Sequence, residues 1–197
     1  MKITTTFLVL LIFNLSILSQ NYTYPGQLEI KSYKIGDKVN TAQFTKYEDI
    51  YFPNYLDGWT IENMSQLSAK YNGLPIAIWK SKKDSSIALT LLNNTILNIT
   101  FSYITDEEKQ EMCKTFSTKF GGEGKTKTYE EHHPLQDWIT YWNLITWQTN
   151  DVILQIGNSE IRMPSQPATK VIKWNLVYSD FVLEDKIIQD YKKKNHL

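Results

Sequence analysis

The chain has 197 residues, with 21 basic and 21 acidic side chains and a formal net charge of zero at pH 7. A chain with no excess of positive charge lacks the electrostatic footprint expected of a protein that binds nucleic acid or an anionic membrane. Cys113 is the single cysteine, which excludes an internal disulfide, so the core alone must hold the fold together.

The first twenty residues have the pattern of a secretory signal peptide. Lys2 precedes an apolar stretch that runs from Phe7 to about Leu18, and the polar residues Ser19-Gln20-Asn21 follow it. This stretch is shorter than the ~20 apolar residues that span a bilayer. We therefore predict a signal peptide over residues 1–20, cleaved between residues 18 and 21, with no membrane span afterwards. Residues 21–197 are expected to form one exported α+β domain, located in a periplasm or outside the cell.

The segment that follows the predicted signal peptide has weak patterning. Leu28 to Ile35 alternates between apolar and polar residues and predicts a strand, which Gly36 and Asp37 would end. Further along, Ile50–Phe52 and Trp59–Ile61 predict short strands, and Ser65–Tyr71 predicts a helical turn.

Three strands with short polar connections are predicted in the middle of the chain. They cover Leu74–Trp79, Ile87–Leu92 and Ile96–Tyr103, each rich in β-branched or aromatic residues. The connections are too short for crossovers, so the strands should form an antiparallel meander.

A helix with clear start and stop signals follows the meander. Thr105 and Glu108 have the spacing of a capping box, and negative charge at Asp106 suits the first turn of a helix. Gly121 and Gly122 predict its end after Phe120.

The second half of the chain repeats this plan less clearly. Strands are predicted over Trp138–Trp147, Val152–Ile156 and Val171–Tyr178. A closing helix is predicted over Val182–Lys193, capped by Ser179 or Asp180. The predicted fold class is therefore α+β, with an antiparallel sheet built from two βββα-like halves and the helices packed mainly on one face. Helices on opposite faces would contradict this arrangement.

One cluster has residue types suited to metal binding or acid–base chemistry. Glu130-Glu131-His132-His133-Pro134 combines imidazoles with carboxylates. Adjacent histidines point in different directions on a helix or a strand, so His132 and His133 are weak metal candidates. We expect a solvated loop here, no catalytic residue, no metal and no cofactor. A small secreted hydrolase that uses His132 or His133 is the third functional hypothesis.

Aromatic residues give the other candidate site. The chain has 6 Trp and 12 Tyr, and Trp138 and Trp142 fall on one face of a predicted strand. Trp174 or Tyr178 on a neighbouring strand could extend this surface. Such rings stack on sugars or bind a protein partner, because they bury a large area and keep a polar group. The preferred hypothesis is a non-enzymatic module that binds an envelope or extracellular protein, and the alternative is a polysaccharide-binding module.

Overall fold

The computed structural model describes residues 28–47, 70–132, 138–163 and 166–195. Outside these described residues lie the predicted signal peptide, the strands predicted at Ile50–Phe52 and Trp59–Ile61, most of the helical turn predicted at Ser65–Tyr71, and His133. Within them, no helix combines the length and the apolar character that crossing a membrane requires.

The described residues form eleven strands, a short 3₁₀ turn and two α-helices. The first part of the chain contains β1 (Glu29–Ile30), β2 (Tyr33–Lys34), the 3₁₀ turn (Thr41–Gln43), β3 (Phe44–Tyr47) and β4 (Lys70–Tyr71). The middle contains β5 (Leu74–Ser81), β6 (Ile87–Leu92), β7 (Thr95–Ile104) and α1 (Asp106–Phe120). The last part contains β8 (Lys125–His132), β9 (Ile139–Gln148), β10 (Val152–Met163), β11 (Gln166–Asp180) and α2 (Phe181–Asn195).

Most strands belong to one antiparallel sheet with the order β3-β5-β6-β7-β11-β10-β9-β8, and β4 pairs with β5 beside this path. β1 and β2 form a separate two-stranded hairpin. Two meanders, β5-β6-β7 and β8-β9-β10-β11, thus meet where their last strands pair. The α+β class predicted from the sequence is confirmed, with the sheet as the dominant element.

The β5-β6-β7 meander matches its prediction closely because its local signals agree. The turn between β6 and β7 consists of Asn93 and Asn94, with φ of 48° and 66°. A two-residue type I′ hairpin turn needs positive φ at both central positions, and asparagine tolerates that conformation well. The segment Leu28–Ile35, in contrast, folds back as the β1–β2 hairpin, with positive φ at Lys31 and Ser32.

The predicted caps of α1 are confirmed. The Thr105 hydroxyl accepts a hydrogen bond from the Glu108 amide at 3.2 Å, and the Glu108 carboxylate accepts one from the Thr105 amide at 2.9 Å. Gly121 ends the helix with φ of 76°, in the left-handed conformation that favours glycine. On α2, Asp180 is the residue whose carboxylate accepts from the Leu183 amide at 2.9 Å.

β8 was not predicted as a strand. The interpretation of Glu130 to His132 as part of a loop was wrong, because these residues continue β8 and pair with β9. The Lys-Thr-Lys-Thr run at the start of β8 has no apolar face, so its alternation produced no hydrophobic signal. The second meander consequently has four strands, and the two βββα-like halves are not confirmed.

The two helices pack against opposite faces of the sheet. On the face that we call the α1 face, Phe116 of α1 contacts the Trp147 ring edge-on, with 5.7 Å between centroids. Trp147, Leu154, Tyr178, Ile99 and Leu89 are successive cross-strand neighbours on that face. On the α2 face, Leu183 and Ile187 of α2 pack with Leu92 and Leu97. The prediction that the helices lie mainly on one face is therefore not confirmed, and their placement on opposite faces contradicts it.

The reason lies in the central strands. All six residues of β6 are buried, so both of its faces need covering. The α2 face also contains a buried polar network. In it, the side-chain amide of Asn98 donates hydrogen bonds to the Ser179 hydroxyl at 2.5 Å and to the Glu184 carboxylate at 3.1 Å. These hydrogen bonds connect the start of α2 to the middle of the sheet.

Candidate functional site

A cleft of about 510 Å³ lies between α1 and the outermost strands on the α1 face. Helix α1 contributes Lys114 and Ser117 to its wall. The sheet contributes Thr126 from β8 together with Ile145 and Trp147 from β9. The cleft therefore has an apolar floor and a polar rim, as ligand sites commonly do.

The floor of this cleft depends on a close approach at Gly124, just before β8. A Cβ atom on Gly124 would lie 2.5 Å from Ile145 Cγ2 and 2.7 Å from Trp147 Cε2, which is closer than real side chains approach. Trp147 also donates a hydrogen bond from Nε1 to the Gly122 carbonyl at 3.1 Å. The chain entering β8 is thereby held directly against the aromatic floor.

Strand β8 forms one edge of the sheet. Among the described residues it pairs only with β9, and most of its length is exposed, including Lys125, Thr126, Lys127, Thr128 and Glu130. An edge strand presents outward N–H and C=O groups that a further strand can bind. The cleft and this open edge adjoin each other, since Thr126 belongs to both.

Cys113 of α1, whose thiol is a potential nucleophile, lies in the wall of the cleft. Partial burial raises the pKa of its thiol, and the charge of Lys109 opposes this shift only in part. A protonated thiol is a poor nucleophile and a poor metal ligand. Cys113 is therefore suited to packing in the wall rather than to covalent chemistry at neutral pH.

Trp142, the central residue of the predicted aromatic surface, lies on the α2 face of β9. It stacks on its cross-strand neighbour Tyr129, with 6.0 Å between ring centroids and 18° between the ring planes. The Lys127 ammonium lies 5.5 Å from the Tyr129 ring centroid. Trp138 directly precedes β9, and both tryptophans are partly buried. The rings of Trp142 and Tyr129 form an aromatic pair that the sequence analysis did not identify.

The other two predicted members do not join this surface. Tyr178 is 1% exposed and lies in the core on the α1 face, where burial raises the pKa of its phenol. Trp174 donates from Nε1 to the Asp106 carboxylate at 2.7 Å, and the Lys109 ammonium lies 4.5 Å from its ring centroid. Trp174 thus connects β11 to the first turn of α1, away from Trp142.

His132 is an exposed residue at the end of β8. Its side chain is 72% exposed, and its Nε2 lies 3.9 Å from a carboxylate oxygen of Glu130. In the parts of the chain that the structure describes, no group of three or more His, Cys, Asp and Glu residues could hold a metal ion. His133, the other weak candidate, lies outside these parts.

One feature of the sequence, Gly124, does indicate the cleft. Gly124 lies three residues after the glycine that caps α1, so it is not needed to end the helix. A glycine in such a position can mark a close backbone approach, here against Ile145 and Trp147.

Comparison of this chain with protein-family models, with curated proteins and with solved structures finds no match.

Proposed function

We propose that this chain is an exported, non-enzymatic binding module that takes up an extended protein segment by strand addition at β8. The observation that carries the proposal is an eight-residue edge strand, exposed over most of its length, that lies beside a cleft with an apolar floor. Partner segments that add to a sheet edge gain affinity from main-chain hydrogen bonds, and pockets beside the edge select their side chains. Both elements are present at β8.

The geometry suggests how such a segment would bind. Eight residues of an extended strand cover roughly 26 Å, which allows several main-chain hydrogen bonds along β8. Alternate side chains of an added strand point to the same face of the sheet. One of them would lie over the cleft beside Thr126 and contact Ile145 and Trp147. An apolar or aromatic side chain suits this floor, and the hydroxyl of Ser117 offers a polar contact at the rim.

Export is part of the proposal, and its support is the signal-peptide pattern of residues 1–20. The proposed partner is accordingly an envelope or extracellular protein. Expression of the full-length coding sequence in a bacterial host, followed by mass spectrometry of the protein in the periplasm and the medium, tests this part. We expect a new amino terminus between residues 18 and 21. Retention of the intact chain in the cytoplasm would contradict it.

The binding proposal is tested by selecting peptides from a random display library on the purified protein. Filling the cleft from the helix side with Ser117→Tyr should abolish binding of the selected peptides. Thr115→Tyr is the matched control, because Thr115 is exposed on α1 and does not line the cleft. Bound peptide should also slow hydrogen exchange of the amides in β8. Peptides that bind equally well to both variants and leave β8 unprotected would refute strand addition.

A polysaccharide is the second candidate ligand, and the stacked pair of Trp142 and Tyr129 favours it. Aromatic rings on a sheet surface can stack on sugar rings, and Lys127 beside the pair would suit an acidic sugar. The test is retention on immobilised polysaccharides with Trp142→Ala. Tyr141→Ala is the control, because Tyr141 is the next residue on the same strand and lies on the opposite face. Equal loss of retention in both variants would count against this candidate.

A further inference from the structure

We propose that the segment bound at β8 is β8 of a second copy of this chain, so that two sheets join edge to edge in a symmetric dimer. This inference rests on the proposed function, strand addition at β8, and names its partner. It is based on the charges along β8 and on the position of the cleft.

The charges of β8 are separated along the strand. Its first half contains Lys125 and Lys127, and its second half contains Glu130 and Glu131. When two copies of such a strand pair antiparallel, the basic half of each lies beside the acidic half of the other. Opposite charges on paired strands stabilise the pair, and like charges directly opposite each other destabilise it. The strand is therefore complementary to itself in the antiparallel orientation, and parallel pairing would place like charges together.

The same charges restrict the register. In a symmetric antiparallel pair, one residue lies opposite its own copy on the two-fold axis. An axis at Lys127 would place two ammonium groups opposite each other, and an axis at Glu130 would place two carboxylates opposite each other. Axes at Thr128 or Tyr129 avoid both clashes. These two registers are the ones that the charges allow.

The cleft favours the register centred on Thr128. In that register Glu130 of the second copy lies opposite Thr126, which forms part of the cleft wall. Glu130 and Thr126 both belong to the α1 face, since Thr126 pairs with Ile145 and Glu130 pairs with Tyr141. Lys114 stands on the helix side of the same cleft. The carboxylate of Glu130 in each copy would thus enter the cleft of the other and meet Lys114 there.

The two-fold axis repeats each of these contacts, so the dimer closes and no edge of β8 remains for a third copy. A strand pair without extensive apolar packing buries less surface than the ~1,200–2,000 Å² of standard interfaces. The dimer is therefore expected to be reversible and to depend on protein concentration.

The experiment is sedimentation velocity over a concentration series, with the protein expressed from its full-length coding sequence. The variants are Lys114→Glu and Glu130→Lys, each of which places like charges in both clefts of its homodimer. Each variant alone should raise the dimer Kd by at least about tenfold. Mixing the two restores a Lys–Glu pair in both clefts of the mixed dimer, so the mixture should associate like the original protein.

Lys83→Glu is the control for net charge, because Lys83 is exposed in the turn between β5 and β6, far from β8 in the strand order. It should leave the Kd unchanged. Recovery on mixing also shows that both variants are folded.

The inference is overturned if the protein sediments as a monomer at every concentration. It is also overturned if the dimer Kd is the same in the original protein, in Lys114→Glu and in Glu130→Lys. If the monomeric protein still selects peptides whose binding is lost in Ser117→Tyr, strand addition stands and only self-association fails. If peptide selection fails as well, the proposed function falls with it.

Discussion

Adding one methyl group at Gly124 tests the geometry of the cleft most directly. In Gly124→Ala the new Cβ would meet Ile145 Cγ2 at 2.5 Å and two ring atoms of Trp147 at 2.7 and 2.8 Å. These atoms belong to the floor of the cleft. Trp147 cannot move freely, because its ring packs against Phe116 and donates a hydrogen bond to the Gly122 carbonyl. Overpacking of this kind costs about 1–3 kcal/mol.

We therefore expect Gly124→Ala to lower the free energy of unfolding by about 1–3 kcal/mol, measured by urea denaturation followed by tryptophan fluorescence. The emission of the folded protein should also change, because Trp147 must shift. Gly122→Ala is the matched control: its Cβ would meet no atom within 4 Å. An alanine at position 122 should leave the free energy of unfolding unchanged or raise it by about 0.4–1 kcal/mol, because alanine lowers the conformational entropy of the unfolded chain.

A double-mutant cycle checks the cause of the loss. Ile145→Ala removes the nearest clashing atom, so the cost of Gly124→Ala should be smaller in that background. Equal stability of Gly124→Ala and Gly122→Ala would refute the close approach at the start of β8. It would also remove the structural basis for a rigid cleft floor.

Three further predictions follow from the described contacts. Asn98→Leu removes the side chain that donates hydrogen bonds to Ser179 and Glu184, and it should lower the free energy of unfolding by about 2–3 kcal/mol, measured by urea denaturation. A decrease in this free energy no larger than that caused by substituting an exposed residue would contradict the network. Thr105→Ala removes the α1 cap and should cost about 1 kcal/mol by the same assay, and Thr105→Ser should recover most of it. Because the pKa of Cys113 is raised, we expect iodoacetamide to alkylate its thiol slowly at pH 8 and faster as the pH rises through that pKa. Urea-unfolded protein should react at the rate of a free thiol. Equal alkylation rates in the folded and the unfolded protein would refute burial of the thiol.

The elements predicted well from the sequence are those whose signals are local. The meander β5-β6-β7 was predictable from apolar alternation, and its Asn93-Asn94 turn from the tolerance of asparagine for positive φ. Helix α1 was predictable because Thr105, Glu108 and Gly121 act within one turn of the helix ends. None of these features requires knowledge of distant residues.

Most of the candidate site could not be predicted from such local sequence signals. Apart from Tyr129, β8 has polar or charged side chains on both faces, and only its pairing with β9 makes it a strand. Tyr178 and Trp142 are both aromatic residues on predicted strands, so the sequence predicted both for the same surface. The register of the sheet instead places Tyr178 in the core on the α1 face and Trp142 on the α2 face. That placement depends on which strands become neighbours across long separations in the chain.

The sequence by itself determined where most of the strands and helices form, because caps, turns and alternation act over a few residues. The tertiary structure decided which face each helix covers and which strand became the outer edge. It also placed Gly124 against Trp147 and so formed the cleft. The placement of the helices follows from burying both faces of the central strands, a requirement that belongs to the assembled sheet and to no single segment. The edge position of β8 follows from its pairing with β9.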